Sequence, residues 1–289
     1  METTELLKKV RKIEIKTKGL SNHIFAGSYN TAFKGRGMAF TEVREYVPGD
    51  DIRAIDWNVT ARFHHPYVKV FEEERELNVM LLIDVSGSNN FGTKKQLKDD
   101  IITEIAAVLA FSAIQNNDKV GVIFFSSKVE KFIPPKKGST HILRIIRELI
   151  DFKPSETGTN ISVPLKYLRN VIKKRSVAFV ISDFFDHGFE DALNIVNKKH
   201  DLVCLRIQDE REKMIPKSGL VRLKDAETGK LFWADTSSKD FRNKHIQWWK
   251  EHDIFLKKIF SKVGVDSVNI YTHLNYVTPL IRLFRHRSK

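Results

Sequence analysis

Four short runs of almost unbroken apolar residues, at 78–83, 120–125, 176–182 and 202–207, constrain this chain more than any other feature of it. A strand covered by layers on both faces has no solvent side, so it reads as a continuous apolar run and not as an in/out alternation. Helical spacing fills the intervals. Leu97, Ile101, Ile102, Ile105, Ala106, Leu109 and Ala113 recur on one stripe, with Lys94, Lys98, Asp99 and Glu104 away from it. "HILRIIRELI" and "VPLKYLRNVI" predict two further helices, the second with Ser162 at its N-cap and Pro164 in its first turn, and "FEDALNIVNKKH" predicts a helix between the last two strands. Strands and helices in this alternation imply an α/β fold: a Rossmann-like, doubly wound, mostly parallel sheet with helices on both faces.

After Ile207 the pattern loosens. "GLVRLKDAETGKLFWAD" predicts a hairpin turned at Thr228 and Gly229, and a long helix follows with Phe241, His245, Trp248, Trp249, His252, Phe255, Leu256, Ile259 and Phe260 on its stripe. His245 and His252 stand two helical turns apart, but no carboxylate or cysteine joins them there, so they are expected to pack and not to ligate. A last strand at 268–271 and a basic C-terminal helix complete the chain. Residues 1–75 carry many charges and little apolar periodicity, too weak a pattern for an independent core. They are expected to form an ordered extension packed on the main domain, 76–289, with Pro48 and Gly49 at the centre of a type II turn. The charged stretch 36–62 reads either as a second docking surface or as an ion-pair network.

Composition closes off several classes. The 289 residues are 42% hydrophobic and 29% charged, which disordered and fibrous chains are not. The longest apolar runs fall short of the roughly 18–20 residues of a membrane span, and the lysine-studded start does not resemble a secretory signal. A single cysteine, Cys204, cannot form an internal disulfide and lies in a strand pattern, so a cytoplasmic location and a buried, inert thiol are expected. Forty-nine basic against 36 acidic residues give a net charge of +13, which favours encounters with polyanions or acidic protein surfaces.

Chemistry concentrates at the strand ends. In open α/β sheets ligands bind beyond the carboxyl ends of the strands. "NVMLLIDVSGS" runs straight into Asp84, followed at alternate positions by Ser86 and Ser88, "VISDFFD" brings Asp183 to the same edge, and the loop "ETGTNIS" offers Thr159. A carboxylate at the end of a buried strand is costly unless it is paired, hydrogen-bonded or metal-bound. Taken singly, each of these residues has an ordinary reading as a cap or a turn residue. Together they make two carboxylates and three hydroxyls, the hard oxygen donors that Mg²⁺ or Mn²⁺ prefers. Neutral hydroxyls donate weakly, so such an ion would stay electrophilic, with room for an acidic side chain from a partner.

This constellation resembles the metal-ion-dependent adhesion site of von Willebrand factor A domains, with "DVSGS" as first loop, Thr159 in "TGTN" as the middle hydroxyl and Asp183 in "SDFFD" as the last carboxylate. Upstream, "FTEVREYVPGDDIRAIDWNVTAR" and "VKVFEEERELNVMLLIDVSGS", with "DKVGVIFF" and "DAETGK", are similar to the bacterial domain-of-unknown-function fifty-eight family over about 35–229. Asn89 departs from the methionine common there, at a position that is not a ligand. The resemblance implies that the two serines and the threonine contact the ion, that the aspartates act directly or through water, and that a partner's Glu or Asp completes the shell. It also implies a non-enzymatic partner or adaptor of a MoxR-type AAA+ ATPase, chaperone-like in the maturation of other proteins.

Three rival readings are weaker. A serine hydrolase would use Ser86, Asp183 and His273 in that order, but its elbow needs Gly-x-Ser-x-Gly, and here Asp84 and Ser88 flank Ser86. A haloacid-dehalogenase-type phosphatase would need a second aspartate where Ser86 stands. Nucleic-acid binding is the alternative suggested by charge, yet the basic residues are spread along the chain and no finger or RNA-recognition motif occurs, so no specific nucleic acid is expected. No Walker-type loop is present, so ATP hydrolysis would belong to a partner.

Overall fold

The computed structural model describes residues 3–21, 38–73, 76–90, 97–225 and 229–287. The chain divides into two compact units, Met1–Phe33 with Asn78–Lys289, and Lys34–Leu77. The N-terminal helix α1 (Thr3–Leu20) thus belongs to the same unit as the large sheet.

In the smaller unit, β1 (Met38–Glu45), helix α2 (Trp57–Phe63) and β2 (Tyr67–Glu73) follow in order, and the two strands pair antiparallel. Asp56 caps α2 by accepting hydrogen bonds from the Asn58 and Val59 amides at 3.0 and 3.3 Å. Asp50 N–H donates to the Val47 carbonyl at 3.0 Å and Gly49 has φ +110°, which is the turn expected from Pro48 and Gly49. Arg44 clamps Asp50 with two bonds of 2.7 Å, so part of the charged stretch serves local ion pairing.

The larger unit is built on β3 (Asn78–Asp84), α3 (Lys98–Gln115), β4 (Lys119–Phe125), β5 (Val129–Lys136), α4 (Ser139–Ile150), α5 (Ser162–Val171), β6 (Val177–Ser182), α6 (Glu190–Asn197) and β7 (Asp201–Gln208). It continues through α7 (Glu210–Lys213), the hairpin β8 (Leu220–Lys224) and β9 (Leu231–Asp235), α8 (Lys239–Val263), β10 (Asp266–Tyr271) and α9 (Val277–Arg287). The six-stranded sheet has the order β10-β7-β6-β3-β4-β5, with every pair parallel except β4 and β5. The four apolar runs are its four inner strands, so the mostly parallel α/β class is the one observed.

Strand β5 was not foreseen, and its sequence shows why. "VEKFIPPK" contains Pro134 and Pro135, which cannot donate to a ladder and are tolerated only at an edge; among the described residues β5 is the edge of the sheet and pairs with β4 alone. Opposite them, Gly121 is required by space, because a Cβ there would stand 2.8 Å from Met80 Sδ and 2.9 Å from the Pro135 nitrogen.

One face of the sheet buries Met80, Leu82, Ile123, Val180 and Cys204 against Leu165 and Leu168 of α5, Leu193 of α6 and Leu256 and Ile259 of α8. Burial pushes the Cys204 thiol well above its usual range, in keeping with an inert cysteine. On α3, two of the charged residues that were expected to lie off the buried stripe are themselves buried: Lys98 is 0% exposed and Glu104 7%. Part of the reason is α1, which packs on α3 and places Lys16 Nζ 2.6 Å from Glu104 Oε2. Ser162 is not the cap of α5 but its first residue, and its amide donates to the Asn160 side chain at 3.1 Å. The hairpin is present with Gly229 at φ +69°, while Thr228 lies outside the described residues. Ser238 and Gly264 terminate α8 as N-cap and left-handed C-cap. Among the described residues, no helix is long and apolar enough to cross a membrane.

Candidate metal centre

The chain adds strands in one direction from β3 to β4 and β5, then reverses to β6, β7 and β10 on the other side of β3. The crevice beyond the carboxyl ends of strands at such a reversal is where open α/β sheets place ligands. Asp84 ends β3, and Asp183 directly follows β6, its neighbour in the sheet.

Asp84 is 1% exposed and is held from two sides: its Oδ1 accepts from the Ser86 amide at 2.9 Å and its Oδ2 from Ser182 Oγ at 2.6 Å. The turn it starts brings Ser86 Oγ and Ser88 Oγ to 3.1 Å of each other. The Thr159 loop is tied to that turn by a backbone bond from Gly87 N–H to the Thr157 carbonyl, and to the end of β4 by one from Asn160 N–H to the Ser126 carbonyl, each 3.0 Å. Asp186 Oδ2 accepts the Ile161 amide at 2.7 Å and so joins the same loop to the segment after β6. Thr159 Oγ1 is buried without a hydrogen-bond partner among the described residues. Ser182 Oγ also accepts from the Phe184 amide at 3.0 Å, supporting a left-handed turn at Phe184, φ +60°. A bulky residue rarely adopts that conformation, and here full burial of the Phe184 ring against Phe189 and Phe260 holds it.

The five candidate residues therefore lie on three segments that are hydrogen-bonded to one another. Burial and the charge of Asp183 push the Asp84 carboxyl up to about 7. Asp84 also forms part of the wall of a cavity of about 590 Å³ that Lys9, Lys12 and Lys16 of α1 border.

Three further residues escaped the sequence reading. Lys98 Nζ lies 3.1 Å from Asp183 Oδ2 and bonds Glu212 Oε1. Burial alone would drive the Lys98 ammonium down, but the Asp183 and Glu212 carboxylates outweigh it and hold it above the usual lysine value. Burial raises Glu212 against the opposing pull of Lys98. Glu212 Oε2 meanwhile accepts from the Asp209 amide at 3.0 Å, completing a capping box on α7. Arg206, 3% exposed, donates to the Asp183 carbonyl at 3.2 Å and to Asp253 Oδ1 at 2.5 Å. The capping spacing of Asp209 and Glu212 was a legible signal. Lys98 gave none, because a lysine in a first helical turn reads as solvated.

The residues fit a hard divalent cation. Thr159 supplies an orphaned oxygen, and Asp84 and Asp183 repel each other in the absence of a full counter-charge. Among the described residues no three His, Cys, Asp or Glu side chains form a metal cluster, so an ion here would depend on the hydroxyls. His245 and His252 do not converge on such a site: His245 Nε2 meets the Glu212 carbonyl at 2.6 Å, and His252 stacks on Phe185 and Trp248. His273, the base of the hydrolase alternative, has its Nε2 3.9 Å from Glu210, and no hydrogen bond among the described residues joins it to Ser86.

Comparison with known proteins bears on the family and the fold. The chain is 28% identical over 294 residues to the uncharacterized protein Mb1516 of Mycobacterium bovis, covering 100% of this chain and 92% of that one. It is 30% identical over 107 residues to the uncharacterized protein YeaD of Bacillus subtilis, covering 37% of this chain and 25% of that one. Among solved structures, the conserved hypothetical protein BatB from Bacteroides thetaiotaomicron shares the fold, with a TM-score of 0.50 at 16% identity over 73% of this chain and 98% of that one. The sheet order, with one antiparallel edge strand, is that of a mostly parallel α/β sheet. The sequence profile described as "Protein of unknown function DUF58" matches residues 42–254, and the chain belongs to that family.

Proposed function

We propose that this chain is a non-enzymatic protein-interaction module that binds Mg²⁺ or Mn²⁺ through Asp84, Ser86, Ser88, Thr159 and Asp183 and offers the ion to an acidic side chain of a partner. The observation that carries the reading is the buried Thr159 Oγ1, without a hydrogen-bond partner among the described residues, on a loop tied by a backbone bond to the Asp84 turn. An unsatisfied buried hydroxyl is costly, and an ion shared with two carboxylates would relieve it. The bound ion would supply electrostatic attraction for a carboxylate. The chain's own residues do the positioning: Ser182 orients Asp84, Arg206 fixes the backbone of Asp183, and Asp186 holds the Thr159 loop.

The partner proposed is a MoxR-type AAA+ ATPase or one of its clients, with this chain acting in the cytoplasm as adaptor or co-chaperone. The resemblance of the sequence motifs supports that assignment. Calorimetric titration is expected to show weak Mg²⁺ binding that is abolished by Asp84→Ala and by Asp183→Ala; unchanged binding in both variants would sink the metal reading. Retention of the ATPase on immobilised protein should fall with EDTA and with Thr159→Ala, and indifference to both would argue against a metal-mediated contact. A fluorophosphonate should leave Ser86 unlabelled.

A further inference from the structure

Lys98 is a fully buried cation inside the candidate site. It opens α3, has no exposed surface, and places its ammonium between Asp183 Oδ2 at 3.1 Å and Glu212 Oε1. The other oxygen of Asp183 accepts the Phe185 amide at 3.3 Å. The carboxylate that a divalent ion would use is thus already engaged by a tethered monovalent one. Two cations on one carboxylate repel, and a buried site screens that repulsion far less than water does.

We infer that Lys98 is a built-in counter-cation that competes with the divalent ion for Asp183, and that Glu212 is the anchor that retains the ammonium when the ion displaces it. This rests on the reading of the site as a divalent-cation centre. Two features favour exchange over a static ion pair. A lysine ammonium sits on a flexible four-carbon stem, unlike the rigid fork of an arginine. Glu212 lies outside the five candidate ligands and is itself fixed by the Asp209 amide at 3.0 Å, so Lys98 keeps a partner without leaving the interior. The chain would then hold the divalent ion more weakly than its oxygen donors alone allow, and the level of that affinity would be set by the balance between Asp183 and Glu212 for one ammonium.

The test is Mg²⁺ titration of the full chain by calorimetry, with thermal unfolding as a check on folding. Lys98→Met combined with Glu212→Gln removes one charge of each sign and leaves the site's net charge unchanged; it is expected to bind Mg²⁺ about tenfold tighter than wild type or better. Glu212→Gln alone leaves the ammonium only Asp183, and should weaken Mg²⁺ binding by about tenfold. Lys98→Arg serves as a charge-preserving variant and should stay at or below wild-type affinity. A merely structural role for Lys98 and Glu212 would move the single and double variants in the same direction. A folded double variant that binds Mg²⁺ no tighter than wild type, with binding still lost in Asp84→Ala, overturns the inference and leaves the metal reading standing. Absence of Mg²⁺ binding in wild type and double variant alike overturns both.

Discussion

Ser182 Oγ donates to Asp84 Oδ2 at 2.6 Å, joining the carboxyl ends of β6 and β3 across 98 positions of sequence. The same oxygen accepts the Phe184 amide, so one hydroxyl orients the first carboxylate and supports the left-handed turn beyond the second. Ser182→Ala removes both bonds in a fully buried place and is expected to cost about 1–3 kcal/mol, measured as a lowered urea midpoint at constant slope. Mg²⁺ affinity should fall with it. An unaltered midpoint would show that the two strand ends are held by packing alone.

The elevated Asp84 carboxyl gives a pH dependence whose sign can be worked out. Its folded value, about 7, lies above the ordinary 3.8, so between those values the native state holds a proton that the unfolded state has lost. Stability from this group therefore falls as pH rises through that window, and the penalty, on the order of a few kcal/mol, is complete above about 7. On the proposed reading a divalent ion would take the proton's place. Mg²⁺ should raise the unfolding temperature much more at pH 8 than at pH 5.5, and Asp84→Asn should abolish the difference. Equal shifts at both pH values would contradict the account.

What could be read in advance followed the range of the interactions. Asp84, Ser86 and Ser88 were visible because their spacing at the end of an apolar run is local, and Asp183 because its run is equally plain. The inner strands were visible for the same reason. Lys98 was misplaced because its burial depends on the fold bringing Asp183 and Glu212, 85 and 114 positions away, to one point. Helix α1 gave little apolar signal, and β5 was masked by Pro134 and Pro135, whose tolerance at an edge depends on a strand order that no local pattern contains.

Two buried histidines act in the opposite sense to Asp84. His200, whose Nδ1 lies 2.8 Å from Ser176 Oγ, and His252, stacked on Phe185, are each pushed down to about 4, chiefly by burial. With folded values below the ordinary 6.5, their contribution is complete above that pH and is lost as pH falls through about 4. In the window from about 4 to 6.5 the two histidines add stability as pH rises, while Asp84 and Asp99, the latter raised to about 6 chiefly by burial, remove it, so variants at the two kinds of group should tilt the metal-free profile in opposite directions. Asp84→Asn should steepen the acid limb, and His200→Gln should flatten it. Unfolding temperatures across pH 4–8 in EDTA would show both, and a slope unchanged from wild type in both variants would refute the assignment.

Arg206 and Asp253 form a pair of unequal burial, 3% and 37% side-chain exposure, and the asymmetry predicts a ranking. Arg206→Met removes the charge that is costly to bury, while Asp253 keeps Lys213 at 2.8 Å and access to water. Asp253→Ala instead leaves the Arg206 guanidinium buried without its carboxylate, with the Lys213 ammonium left without the same partner. Breaking a buried pair from the side that strands a charge is the more damaging change. Discounted for the exposure of Asp253, Asp253→Ala should cost about 2–4 kcal/mol and Arg206→Met about 1–2 kcal/mol. Because Arg206 also holds the Asp183 carbonyl, the milder variant should still weaken Mg²⁺ binding, whereas Lys213→Met should leave it unchanged. Denaturant unfolding ranks the first two variants, and calorimetry separates the third; the reverse order in stability would place the weight of this contact in side-chain packing and not in charge.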